Sequence, residues 1–138
     1  MVRHTDWMAR LMRAVETAQV LPFAYGLHDC CTFAAYCVDA MCEDSRVGER
    51  MQRHHPYANE DEAYEYIETQ GGLTGLVTHY LGSPMANPKL AAPGDVCVAR
   101  DVDGKEVVGV LIGHNVVAPG SQGLRTLTVD RVEKAWSV

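Results

Sequence analysis

The residues best suited to chemistry in this chain are crowded into one stretch, Tyr25-Gly26-Leu27-His28-Asp29-Cys30-Cys31-Thr32-Phe33. Gly26 permits backbone angles that a residue with a Cβ resists, and Asp29 is a good N-cap, so the stretch reads as a turn running into a helix. From Cys30 to Met41, the residues Cys30, Phe33, Cys37 and Met41 recur at spacings of three and four, one stripe of that helix. Cys30 then falls in the first turn, where backbone N–H groups lack partners and the helix dipole favours an anion. A thiol held there is biased toward thiolate, the form that acts as a nucleophile or metal ligand. The competing reading is a small buried hydrophobe, because free cysteines are often no more than that. A nucleophile also needs a base, and the histidines to consider are His28, His79 and His114. His28 precedes the helix by two residues and can approach the thiol only through a particular turn.

Four of the five cysteines (Cys30, Cys31, Cys37 and Cys42) share this segment, which raises the question of a metal. Their spacing is C-C-x5-C-x4-C, not the C-x2-C pairs of structural zinc sites, and Cys31 points about 100° away from Cys30 on a helix. Free thiols are therefore expected, with no metal and no cofactor. The net charge of −6 and pI near 5.4 argue against nucleic acid as a partner, since phosphate binding wants a basic face. No apolar run approaches the ~20 residues that span a bilayer. At 138 residues, with 47% apolar and 22% charged, the chain is expected to fold as a single soluble domain over 1–138. Arg3, His4, Asp6, Arg10 and Arg13 interrupt any signal-peptide core. The expectation is synthesis in the cytoplasm, with any exit by a route that needs no cleaved signal.

The elements that must position the cysteine stretch follow from periodicity. Residues 6–19 place Trp7, Met8, Leu11, Met12, Val15 and Ala18 on one stripe, capped by Thr5 or Asp6 and ended by Pro22. After Met41, the polar run to Tyr57 reads as a solvated loop or a short exposed helix, and its His54-His55 pair as surface. Asn59 with Glu60, Asp61 and Glu62 starts a helix burying Ala63, Tyr64 and Ile67, ended by Gly71-Gly72. Leu73 to Leu81 is another helix, with Leu73, Leu76, Val77, Tyr80 and Leu81 inward and His79 off the stripe. Residues 83–93 form a connecting loop. The texture then turns to strands: Asp95–Arg100, a hairpin at Asp103-Gly104, a central strand over Lys105–Gly113, a turn at His114-Asn115, and Val116–Ala118. A loop at Pro119–Gly123 precedes a strand over Leu124–Asp130 and a helical turn at Arg131–Ala135, with Trp136 packed back on the core. Helices first and antiparallel sheet second make the fold α+β.

A resemblance sharpens this. Gly26-Leu27-His28-Asp29-Cys30-Cys31-Thr32-Phe33 resembles the nucleophile motif of the NlpC-type cell-wall cysteine peptidases, with Cys31 and Thr32 in place of the usual Ser and Gly. Ala92-Pro93-Gly94-Asp95-Val96 is similar to the Pro-Gly-Asp that opens that family's sheet. Val108-Gly109-Val110-Leu111-Ile112-Gly113 resembles its Val-Gly-Ile-Tyr strand. The resemblance implies a papain-like fold and a Cys30 nucleophile acting on peptidoglycan stem peptides. The position just before the strand motif, the family's catalytic His, is Val107 here, and the residue that orients the His would fall near Val117 or Ala118. None of these side chains transfers a proton. His114 lies seven residues beyond Val107, roughly 23 Å along an extended strand. Asp95 reads as a turn cap. The short length, Gly123-Leu124 and Ala135-Trp136 resemble a group of phage and prophage proteins found among tail genes. That likeness implies a virion component of the phage tail, made in the host cytoplasm and bound to other tail proteins. The expected function is a structural tail protein on a degenerate peptidase fold. The alternative is an active peptidase or amidase meeting the bacterial cell wall during entry, with Cys30 as nucleophile and His28 or His114 as base.

Overall fold

Alternating apolar residues in the second half of the chain build one antiparallel sheet, seen in a computed structural model that describes residues 1–54 and 56–138. Its strands are β1 (Val96–Arg100), β2 (Glu106–Ile112), β3 (Asn115–Gly120), β4 (Gly123–Thr128) and β5 (Val132–Trp136), in the spatial order β4-β3-β2-β1-β5. The continuous apolar run of β2 is the middle strand, as its pattern predicts. Successive side chains go to opposite faces. Val96, Val98, Val108 and Val110 meet the helices, whereas Cys97, Ala99, Val107 and Leu111 form a second cluster against Met85 and Ala91.

Among the described residues, five α-helices precede the sheet: α1 (Trp7–Gln19), α2 (Cys30–Met41), α3 (Val47–His54), α4 (Glu60–Thr69) and α5 (Gly72–Leu81). The α+β class and the helices-then-sheet order hold. Helix α2 is the axis of the helical layer, packing on α1, α3 and the sheet. Its Phe33, Cys37, Val38 and Met41 are fully buried, and a large apolar side chain so placed contributes roughly 2 kcal/mol. Helix α3, expected as loop or exposed helix, buries Val47 and Met51. Its start is capped from α2, where Asp39 accepts from the N–H groups of Val47 and Gly48, both at 2.9 Å. His54 ends α3, and its neighbour His55 lies outside the described residues.

Four expectations need correction. Helix α1 buries Leu11, Ala14, Val15 and Ala18 but leaves Met8 and Met12 exposed, because the small Ala14 and Ala18 let it lean closely on α2. Asp6 makes no cap bond and instead pairs with Arg10 at 2.7 Å. The helical turn expected over Arg131–Ala135 is strand β5. Five residues carry too little periodicity to decide, and the open edge of β1 supplies backbone partners, pairing Ala99 with Val132, Cys97 with Ala135 and Val96 with Trp136. Trp136 does pack into the core, donating its indole N–H to the Gly82 carbonyl at 2.9 Å. The loop expected between β3 and β4 is a tight hairpin in which Gly120 pairs with Gly123.

Candidate functional site

The start of α2 is held by one carboxylate. Asp29, only 3% exposed, accepts from the Thr32 N–H at 2.9 Å through Oδ1. Through Oδ2 it accepts from the Gly26 N–H and the Tyr57 hydroxyl, both at 2.8 Å. Thr32 Oγ1 completes a capping box by accepting from the Asp29 N–H at 2.8 Å. Gly26 is required here: its φ is +83°, and a Cβ on it would lie 1.9 Å from the Tyr57 carbonyl oxygen. The box occupies the N–H of Thr32 and leaves those of Cys30 and Cys31 without an acceptor among the described residues.

Cys30 opens onto a cleft of about 970 Å³. One wall is aromatic, formed by Phe23, Tyr25, Tyr57 and Tyr64. Tyr64, expected inside, is 50% exposed because α4 turns it toward the cleft rather than the core. The other wall is polar, formed by the β1–β2 hairpin and the β3–β4 hairpin with Arg125. Asp101 is buried in that wall. Its Oδ1 accepts from the N–H groups of Asp103 and Lys105, both at 2.9 Å, and its Oδ2 faces Arg125 Nη1 at 3.4 Å. Those backbone donors, with Arg125, hold the carboxyl below its ordinary value.

The two adjacent thiols differ. Although a helix separates neighbouring side chains by about 100°, the sulfurs of Cys30 and Cys31 come within 4.0 Å. The Cys31 thiol, the backbone of Val108 and the positive field of Arg125 lower the Cys30 pKa, against desolvation and Asp29. Cys31 moves the other way, raised by the same contact and by burial. Burial also pushes Cys37 and Cys97 up to about 12, as expected of inert core thiols.

No histidine lines the cleft among the described residues. His28 is 7% exposed and sets its ring edge-on to Phe33, 6.3 Å between centroids, while desolvation lowers its pKa. No hydrogen bond joins it to Cys30. His114 is exposed in the β2–β3 turn, at the opposite end of the sheet from Val107, and His79 is exposed on α5 beside Tyr80. Val107 itself lines the cleft with Cys30. Pro119 and Gly120, rather than Val117 and Ala118, are its cleft neighbours on β3, because the register pairs Val110 with Val117 and carries Gly120 toward Val107. Three of the cleft carboxylates are committed, Asp29 to its cap, Asp101 to its hairpin and Glu106 to Arg100 at 3.9 Å, and the fourth, Asp103, is exposed in the β1–β2 turn. Among the described residues, no group of three or more His, Cys, Asp or Glu is placed to hold a metal ion.

Sequence reading missed Tyr57, Tyr64, Asp101 and Arg125. Asp101 carried a signal, since an Asp two residues before an Asp-Gly turn commonly accepts the turn's N–H groups; Arg125 carried none. What remains is an α+β protein with a thiol whose pKa is lowered at a cleft, and no histidine among the described lining residues. The chain belongs to the family described as Domain of unknown function (DUF6950), whose model matches residues 2–138. No curated protein matches it. No helix among the described residues is long and apolar enough to cross a membrane.

Proposed function

We propose that this protein is a papain-like domain of NlpC type that keeps the thiol and the cleft but does not hydrolyse amides, and that it serves as a structural component of a phage tail. The observation that carries the non-hydrolytic part is Val107. It lines the cleft beside Cys30 at the position where the resemblance calls for the general base, and no histidine replaces it among the described lining residues. Amide hydrolysis needs a group to protonate the departing amine and another to activate water. The tail assignment, the virion location and the tail-protein partners rest on the resemblance of Gly123-Leu124 and Ala135-Trp136 to tail-associated proteins. Gly123 and Leu124 shape the cleft rim, and Trp136 anchors β5.

The hydrolytic alternative is favoured by the place of Cys30, in the cleft lining and at the start of α2 with its sulfur 4.0 Å from that of Cys31. The two readings separate in one assay. Purified peptidoglycan stem peptides are incubated with the protein and with Cys30→Ala, and newly released amino groups are counted. Equal, background-level release supports the proposal; release that depends on Cys30 replaces it with a peptidase.

A further inference from the structure

The absence of a histidine among the described lining residues narrows the chemistry of the cleft without closing it. An amine cannot leave a tetrahedral intermediate as its anion, so amides need a general acid. A thiol can, because its pKa of about 8.5 lets it depart as thiolate. We infer that the cleft is a single-turnover acyl acceptor: Cys30 takes the acyl group of a thioester and retains it. The inference rests on the non-hydrolytic reading above.

The step balances without an added proton carrier. The Cys30 thiolate adds to the thioester carbonyl, and the carbon–sulfur bond to the leaving group breaks. The displaced thiol departs as its thiolate, and the acyl group stays on Cys30 as a new thioester. The charge that develops on the carbonyl oxygen has two donors beside it, the N–H groups of Cys30 and Cys31 that the capping box leaves free. The Val108 backbone favours the charged form of the Cys30 sulfur. Phe23 and Tyr25, their rings edge to face at 5.0 Å, give the acyl chain an apolar wall. Once the displaced thiol has diffused away, removing the acyl group requires an activated water. Val107 stands where the base would be, Asp29, Asp101 and Glu106 are held in caps and ion pairs, and Asp103 is exposed in the β1–β2 turn. The acyl group therefore remains.

The test uses the S-ethyl thioester of N-benzoylglycine and, in parallel, N-benzoylglycine amide. The intact mass should rise by one acyl group with the thioester, and peptide mapping should place it on Cys30. It should persist after excess reagent is removed, and the amide should give no change. Cys30→Ala and Cys30→Ser, each checked for fold by circular dichroism, should reduce labelling by at least about tenfold. Cys31→Ala, which removes the thiol that lowers the Cys30 pKa, should slow labelling while leaving the adduct on Cys30. Thiol release well beyond one equivalent without a retained adduct overturns the inference, since deacylation then has a base. Labelling no faster than in the Cys30 variants overturns it as well, and leaves the non-hydrolytic reading standing. Amide cleavage that depends on Cys30 overturns both.

Discussion

At the scale of single residues, the contrast between Cys30 and its neighbours is the most direct claim. Alkylation follows the thiolate fraction, and the Cys31 contact, the Val108 backbone and Arg125 favour that form at Cys30, whereas Cys31 and Cys37 are shifted the other way. Iodoacetamide labelling against pH, read by peptide mass spectrometry, should give Cys30 an apparent pKa below the free-thiol value of about 8.5. The sign is fixed by the direction of the shift: as pH falls from 8.5, Cys30 keeps reacting while a free thiol slows. Cys31 and Cys37 should stay unreactive until the protein unfolds. A Cys30 that also waits for unfolding would contradict the site. This part was legible in sequence because it is local; Asp29, Cys30 and Thr32 lie within one turn. Tyr57 and Arg125 were not, because they reach the same site from 28 residues away in one case and from an edge strand in the other. Nothing in a single sequence records which distant side chain a fold brings home.

At the scale of elements, the start of α2 is set by one buried carboxylate shared among α2, the Gly26 turn and Tyr57. Removing it strands three donors. Asp29→Ala should lower stability by about 3 kcal/mol, and Tyr57→Phe by about 1 kcal/mol. The double variant should cost less than the sum, because both changes act on the same oxygen. Urea unfolding of the three variants measures this, and strict additivity would show that Tyr57 supports the cap by some other contact. Elements were legible where caps and periodicity agreed. Asn59 before three acids marked α4, and its side chain does accept from the Glu62 N–H at 2.9 Å. The unbroken apolar run of β2 marked the centre of the sheet. They were illegible where tertiary partners decide. The face of α1 depends on how closely Ala14 and Ala18 let it approach α2, and β5 exists because β1 had an edge to offer.

At the scale of the whole molecule, the two ends of the described chain meet at Asp95, which sequence reading took only for a turn cap. It is that, accepting from the Ala92 N–H at 2.9 Å, but its other oxygen accepts from Arg3 Nη2 at 3.2 Å and from the Val138 N–H at 3.0 Å. Arg3 also donates through Nε to the Val138 carbonyl at 2.6 Å and through Nη1 to Pro93 at 3.1 Å, and it covers the Trp7 ring at 4.1 Å. One partly buried ion pair thus ties the segment before α1, the entry to β1 and the strand end after β5. Breaking it leaves a buried carboxylate without its cation, which is more costly than never having had the pair. Arg3→Ala should lower stability by about 3 kcal/mol, a fall in melting temperature of roughly 10 °C for a domain of this size. None of Arg3, Asp95 or Val138 lines the cleft. Well below its melting temperature, the variant should therefore alkylate Cys30 at the rate of the unaltered protein. A loss of Cys30 reactivity in step with the loss of stability would mean that the clasp and the cleft are one mechanical unit, and that the thiol depends on the whole sheet rather than on the start of α2.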